Sequence, residues 1–111
     1  MNTWLEDNIL NKYINRQTKG PQPNIEKLKR AGLIVSIEPT DVNRGDRVLA
    51  FKNDQWFGII RVEGIRRVSV DTYEIYGFNE DGPGRSFYCT AALKIINRQL
   101  TANRIKDYYC K

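Results

Sequence analysis

Two apolar runs, VLAF at 48–51 and WFGIIRV at 56–62, are separated by Lys52, Asn53, Asp54 and Gln55. Short segments rich in Val, Ile and aromatic residues, joined by a polar Asn-Asp connection, read as a β-hairpin. The second run sorts by a period of two: Trp56, Gly58, Ile60 and Val62 fall on one face, and Phe57, Ile59, Arg61 and Glu63 on the other. One face stays apolar while the other turns charged, which predicts a half-buried strand in a curled antiparallel sheet.

Around this hairpin the chain divides into three stretches. Residues 1–40 predict an N-terminal helical segment packed on the sheet. Thr3 and Glu6 have capping-box spacing, and Leu5, Ile9, Tyr13 and Leu10, Ile14 form adjoining helical stripes, which predicts a helix over 4–17. The GPQP turn at 20–23 cannot continue it. A second helix is expected after Asn24 as its cap, ending at Gly32 in a left-handed conformation, followed by a strand over 33–37. Residues 41–96 hold the hairpin, a loop carrying Arg66 and Arg67, an aromatic-edged strand TYEIYGF at 72–78, and the NEDGPG loop at 79–84. A strand over 85–90 follows, then one helical turn at Ala91, Ala92 and Leu93, then a closing strand Lys94, Ile95, Ile96. Residues 97–111 predict a basic tail or short helix capped by Thr101, with Ile105, Tyr108 and Tyr109 on one side.

At 111 residues the chain has material for one core. No apolar run approaches the roughly 18 residues a spanning helix needs, and MNTWLEDN lacks a basic region before an apolar block, so the expectation is a soluble cytoplasmic or nucleoid- or nucleus-associated protein without a membrane partner. Cys89 and Cys110 lie far apart and no His is present, which argues against a disulfide framework and against zinc. The missing His also removes the commonest general base and every Ser-His or Cys-His nucleophile. Cys89 falls in an expected strand, the setting of an inert thiol. Glu80 and Asp81 are adjacent loop carboxylates, and Gly82, Pro83 and Gly84 lack the Lys-Ser/Thr of a phosphate loop. The expectation is a non-enzyme with no cofactor and no metal.

Net charge is +5, and all of the excess lies in residues 85–111, where Arg85, Lys94, Arg98, Arg104, Lys106 and Lys111 face Asp107 alone. A basic segment of this kind attracts a polyanion. Its plainer use is solubility.

Five short strands around a tight central hairpin, with Gly45-Asp46 opening the first, Val48 and Ala50 within it and Trp56-Phe57 opening the next, resemble Tudor domains and, more loosely, the KOW family. Ile60, Ile65, Tyr76-Gly77-Phe78 and the closing Leu93-Lys94-Ile95-Ile96 complete the likeness, which covers about half the chain. The resemblance implies a small five-stranded antiparallel Src-homology-3-like (Tudor-like) barrel; with the two N-terminal helices and the short C-terminal basic helix read from the residues outside it, the expected fold is α+β. It also implies binding rather than catalysis. Tudor domains hold methylated Lys or Arg in an aromatic cage through cation–π attraction. The matching positions are Phe57, Tyr76 and Phe78, with Trp56 beside them as a further aromatic surface. The chain departs from the pattern at Lys52, a cation where many cages place an aromatic ring. A methyl-lysine or methyl-arginine reader therefore ranks behind core and rim packing of these rings.

Two binding functions follow. The first is a nucleic-acid-associated module contacting phosphates through Arg66, Arg67, Arg85, Lys94, Arg98, Arg104 and Lys106, with Tyr88, Tyr108 or Tyr109 stacking on exposed bases. The second is a protein-interaction module, a small regulator or inhibitor docking on a larger nucleic-acid-handling machine through its Tyr and Trp supply.

Overall fold

The computed structural model describes residues 22–110. The expected helix over 4–17, and Trp4 with it, lie outside the described residues. Elements follow in the order α1 (Ile25–Arg30), β1 (Ile34–Ile37), a 3₁₀ turn (Pro39–Asp41), β2 (Arg47–Lys52), β3 (Gln55–Arg67), β4 (Tyr73–Asn79), β5 (Gly84–Cys89), β6 (Ala92–Ile95) and α2 (Ala102–Tyr108). The strands form one six-stranded sheet in the order β1-β6-β2-β3-β4-β5, and every pairing is antiparallel.

The α+β composition agrees with expectation, whereas the closed five-stranded barrel does not form. β6 takes the free edge of β2, and β1 then covers the far edge of β6. That leaves β1 and β5 as the two edges of an open sheet. The expected helical turn at Ala91, Ala92 and Leu93 is also absent, because residues 92–95 pair along β1 instead. Nor do Arg66 and Arg67 sit on a loop: pairing of Arg66 with Glu74 and Arg67 with Tyr73 carries β3 through both.

Local chemistry accounts for the ends of the elements. Asn24 caps α1, its Oδ1 accepting from the Lys27 amide at 3.1 Å, and Gly32 at φ +73° stops the helix. Thr101 caps α2, its hydroxyl accepting from the Arg104 amide at 3.2 Å. Strand pairing extends to Lys52 and Gln55, so the hairpin turn is only Asn53 and Asp54, at φ +53° and +63°. Two left-handed residues in a two-residue loop match the twist of the flanking strands, and Asn and Asp accept that conformation most readily after Gly.

β3 is 13 residues long and bends at two irregularities. Opposite β2, pairing steps from Ala50–Gly58 to Phe51–Trp56, leaving Phe57 as the extra residue, with Gly58 at φ +123°. Opposite β4, Glu63 is passed over between Val62–Gly77 and Gly64–Tyr76. Such bulges add twist and curl. They also overturn the simple period: Trp56 lies on the face of Ile59, and Phe57 on the face of Ile60.

Each sheet face carries its own apolar cluster. On one face, α1 and α2 lay Leu28, Ala102 and Ile105 over Ile34, Leu49, Trp56, Ile59 and Ile95. On the other, Val48, Ala50, Ile60, Val62, Ile75 and Phe87 meet where the sheet curls on itself and brings β5 towards β2. Helices of six and seven residues hold only because of this packing. No helix among the described residues is long and apolar enough to cross a membrane.

Curling brings β4 tightly against β3 at Gly77, where a β-carbon would meet the Arg61 carbonyl oxygen and lie 2.9 Å from Ile60 Cγ2. Gly77→Ala is expected to lower stability by about 3 kcal/mol, read as a shift in urea midpoint at unchanged slope.

Candidate nucleic-acid interface

One residue fixes the walls of the candidate site. Arg47, at the start of β2, holds Glu80 with two bonds: Nε donates to Oε2 at 2.6 Å and Nη2 to Oε1 at 2.8 Å. Nη2 also donates to the Leu100 carbonyl at 2.6 Å, and Nη1 reaches the carbonyls of Asn97 and Arg98 at 3.5 Å. The Arg47 side chain is only 15% exposed. Hydrogen bonding to Glu80 raises the guanidinium pKa above its usual range, against the opposing effect of burial. The β4–β5 turn and the loop before α2 are thereby tied to the same point of the sheet.

Between them runs a groove made of two hollows of about 410 and 580 Å³ that share Gln55, Trp56, Phe57 and Arg85. Its walls are the hairpin tip at Lys52 and Asn53, the turn residues Asp81, Gly82 and Pro83, the start of β5, and Ala102 and Lys106 on α2. Asn79 stiffens the floor: its Nδ2 donates to the Phe57 carbonyl at 3.0 Å and its Oδ1 accepts from the Asp81 amide at 2.9 Å. The same side chain lies over Gly58, 3.2 Å from where a β-carbon would stand. The Arg85 guanidinium sits 5.9 Å from the centre of the half-buried Phe57 ring, within cation–π range.

The charges sort unequally. Among the described residues five ion pairs, Arg44–Glu63 at 3.4 Å, Arg47–Glu80 at 2.6 Å, Arg61–Glu80 at 3.7 Å, Arg66–Glu74 at 2.7 Å and Lys94–Asp46 at 3.6 Å, engage five cations through four carboxylates. Lys52, Arg85 and Lys106 make no ion pair among the described residues, and Asp81 is the carboxylate lining their groove.

Of the seven basic residues expected to contact phosphate, the groove brings together Arg85 and Lys106. Lys94 is engaged by Asp46, and Arg98 lies in the turn whose carbonyl accepts from Arg47. Arg104 lines a separate small hollow with Leu33, Leu100 and Tyr108. Arg66 is paired with Glu74, and Arg67 donates to the carbonyls of Ser69 and Val70 at 3.0 and 3.1 Å. Both lie on the order of 30 Å along β3 from Trp56, at about 3.3 Å per residue.

The four aromatic positions also separate. Trp56 is buried, its Nε1 donating to the Gly58 carbonyl at 2.9 Å. Phe57 packs on the curled face, whereas Tyr76 and Phe78 are exposed on the opposite face. Phe57, Tyr76 and Phe78 therefore do not face one another as a cage. Tyr108 is exposed and Tyr109 half-buried on the helical side.

Sequence reasoning passed over Lys52 as a site residue, and Arg47 and Asn79 entirely. A glycine inside a strand was the available signal for the bulge at Gly58. Nothing local marks Arg47, whose carboxylate partner comes 33 residues later. No protein-family model, curated protein or solved structure matches the chain.

Removing one member of a largely buried, hydrogen-bonded ion pair strands the other. Arg47→Met is accordingly expected to cost about 3 kcal/mol in denaturant unfolding, and Glu80→Gln, which keeps an acceptor, about half of that. A second expectation concerns Cys89, whose thiol burial pushes up to about 11 from 9.0. A raised thiol pKa leaves less thiolate at any lower pH, so at pH 8 alkylation should run about 100-fold slower than for an unperturbed thiol, accelerating until the pH passes the raised value. Timed iodoacetamide labelling read by mass spectrometry measures this.

Proposed function

We propose that this protein is a non-catalytic module that binds the phosphate backbone of nucleic acid in the groove between the β2–β3 hairpin, the β4–β5 turn and α2. The observation that carries the reading is the convergence of Lys52, Arg85 and Lys106, from three separate elements, on one groove without an ion-pair partner among the described residues. Other cations also lack an ion pair among the described residues, but these three share one groove, and positive charge gathered there favours an external anion. Phosphate groups spaced along a chain suit them better than a single small anion, because the cations line an elongated groove. The Phe57 ring under Arg85 pre-orders the guanidinium, which reduces the entropy lost on binding.

Asp81 at the rim would repel a misplaced phosphate and thereby set the register. The groove offers no base-reading helix, so the affinity is expected to be weakly dependent on sequence. A Src-homology-3-like descent belongs to the same proposal: the consecutive hairpins β2-β3-β4-β5, with β6 returning to β2, keep the meander that such a barrel calls for.

Fluorescence anisotropy with a labelled duplex oligonucleotide across a salt series tests the reading. Arg85→Ala with Lys106→Ala should weaken binding at least tenfold at low salt and reduce the slope of log K against log salt by about 2. Arg66→Ala with Arg67→Ala should leave both unchanged. Equal losses from the two double variants would assign attraction to diffuse charge, and no binding in dilute buffer would remove the proposal.

A further inference from the structure

The sheet face that packs under α1 and α2 continues across β4 and β5, where no described helix covers it. There it presents Tyr76, Phe78 and Tyr88, exposed to 43%, 60% and 64%. Tyr76 and Phe78 are two residues apart on one strand and so project from the same face roughly 7 Å apart. Tyr88 joins them from β5, two residues along the strand from Ser86, which pairs with Tyr76.

The neighbours of Tyr76 and Phe78 on β5 are small, whereas Tyr88 stands opposite Glu74, which pairs with Arg66, and Glu63 lines the hollow beside Tyr76. Phe78 has Gly84 opposite on β5, and Tyr76 has Ser86 on β5 and Gly64 on β3. The hydroxyl end of the Tyr76 ring lies against Gly64, where a β-carbon would meet it, while Phe78 and Tyr88 are mostly exposed, without the contiguous apolar packing that marks a protein-docking core. Beside Phe78 on β3 stands Arg61, whose link to Glu80 at 3.7 Å is much looser than the 2.6 Å bond by which Arg47 already holds that carboxylate. Arg85 borders both this surface and the cationic groove, so the two are continuous around the start of β5.

We infer that Tyr76, Phe78 and Tyr88 form a stacking platform for unpaired bases, so that the nucleic acid taken by this protein is single-stranded. The inference rests on the phosphate-binding reading of the groove and deepens it. A single strand would lay successive bases on the rings while its backbone turns past Arg85 towards Lys106 and Lys52. Base–aromatic stacking is open to every base, in keeping with weak sequence dependence. A duplex keeps its bases stacked internally and has none to offer, so it would use the groove alone.

The test compares labelled oligothymidine with a duplex of equal length, using the parent protein, Phe78→Leu, Tyr88→Ala and Arg85→Ala. Phe78→Leu keeps an apolar side chain and loses the ring, and both aromatic positions are exposed, so folding should survive; the thermal midpoint verifies this. Each aromatic variant should lose about tenfold in single-strand affinity, with the salt slope unchanged and duplex affinity unaffected. Arg85→Ala should weaken both ligands and flatten both salt slopes. Single-strand affinity unmoved by the aromatic variants, with Arg85→Ala still effective, would overturn the platform and leave the groove standing. Absence of binding to either ligand would overturn both. Rings shielded from hydroxyl-radical labelling in the free protein, whether by residues 1–21 or by a second copy seen in sedimentation, would overturn the platform, as would a protein ligand displaced by Phe78→Leu while oligothymidine binding persists.

Discussion

Arg47 ties together three parts of the chain that strand pairing and the core cluster bring near one another. Its planar guanidinium offers five donors in a fixed fork, and Glu80 together with the carbonyls of Asn97, Arg98 and Leu100 supply the acceptors. A Lys at this place would present one charged point and could not span a carboxylate and a loop together. Because the β4–β5 turn and the loop leading to α2 are both held by this fork, the walls of the groove stand at a set distance from the hairpin. Positioning of Asp81 and of Lys106 is thus a consequence of an interaction that neither takes part in.

The open sheet has a functional consequence of its own. Closure into a barrel would have paired both faces of the opening and hidden the start of β5. With β1 and β6 placed on the β2 side, the two apolar clusters are distributed across both faces of the sheet, and among the described residues no strand pairs with the β5 edge beside Arg85. Among the described residues, helices cover only the β1-β6-β2-β3 portion. The uncovered part is where exposed aromatic rings collect, and the border between the two is marked by Arg47, Glu80 and Arg61.

Much of the framework was legible wherever a local rule decides. The Asn53-Asp54 turn, the Asn24 and Thr101 caps, the Gly32 stop and the alternation in β4 all follow from side-chain chemistry within a few residues of the feature. Legibility failed wherever a distant strand decides. Ala91, Ala92 and Leu93 favour a helical turn in isolation, but residues 92–95 find open edges on β1 and β2, and pairing prevails. Strict alternation placed Trp56 with Ile60; one extra residue at Phe57 moves the indole to the helical side. Counting charge located the basic excess in 85–111 without showing which cations are engaged. Lys94 meets Asp46, while Lys52, from a stretch of balanced charge, joins Arg85 and Lys106 at the groove. Convergence of three elements remote in sequence leaves no signature in any window of it.

The central claim is that an anionic chain seats on the cations at the hairpin end of the molecule, and amide chemical-shift mapping during titration with a short duplex in dilute buffer tests it most directly. The account predicts perturbations concentrated at Phe57, Gly58, Arg85 and Lys106, with residues 66–71 at the far end of β3 unmoved. Perturbations centred on Arg66 and Arg67, or spread evenly over every surface lysine and arginine, would contradict it.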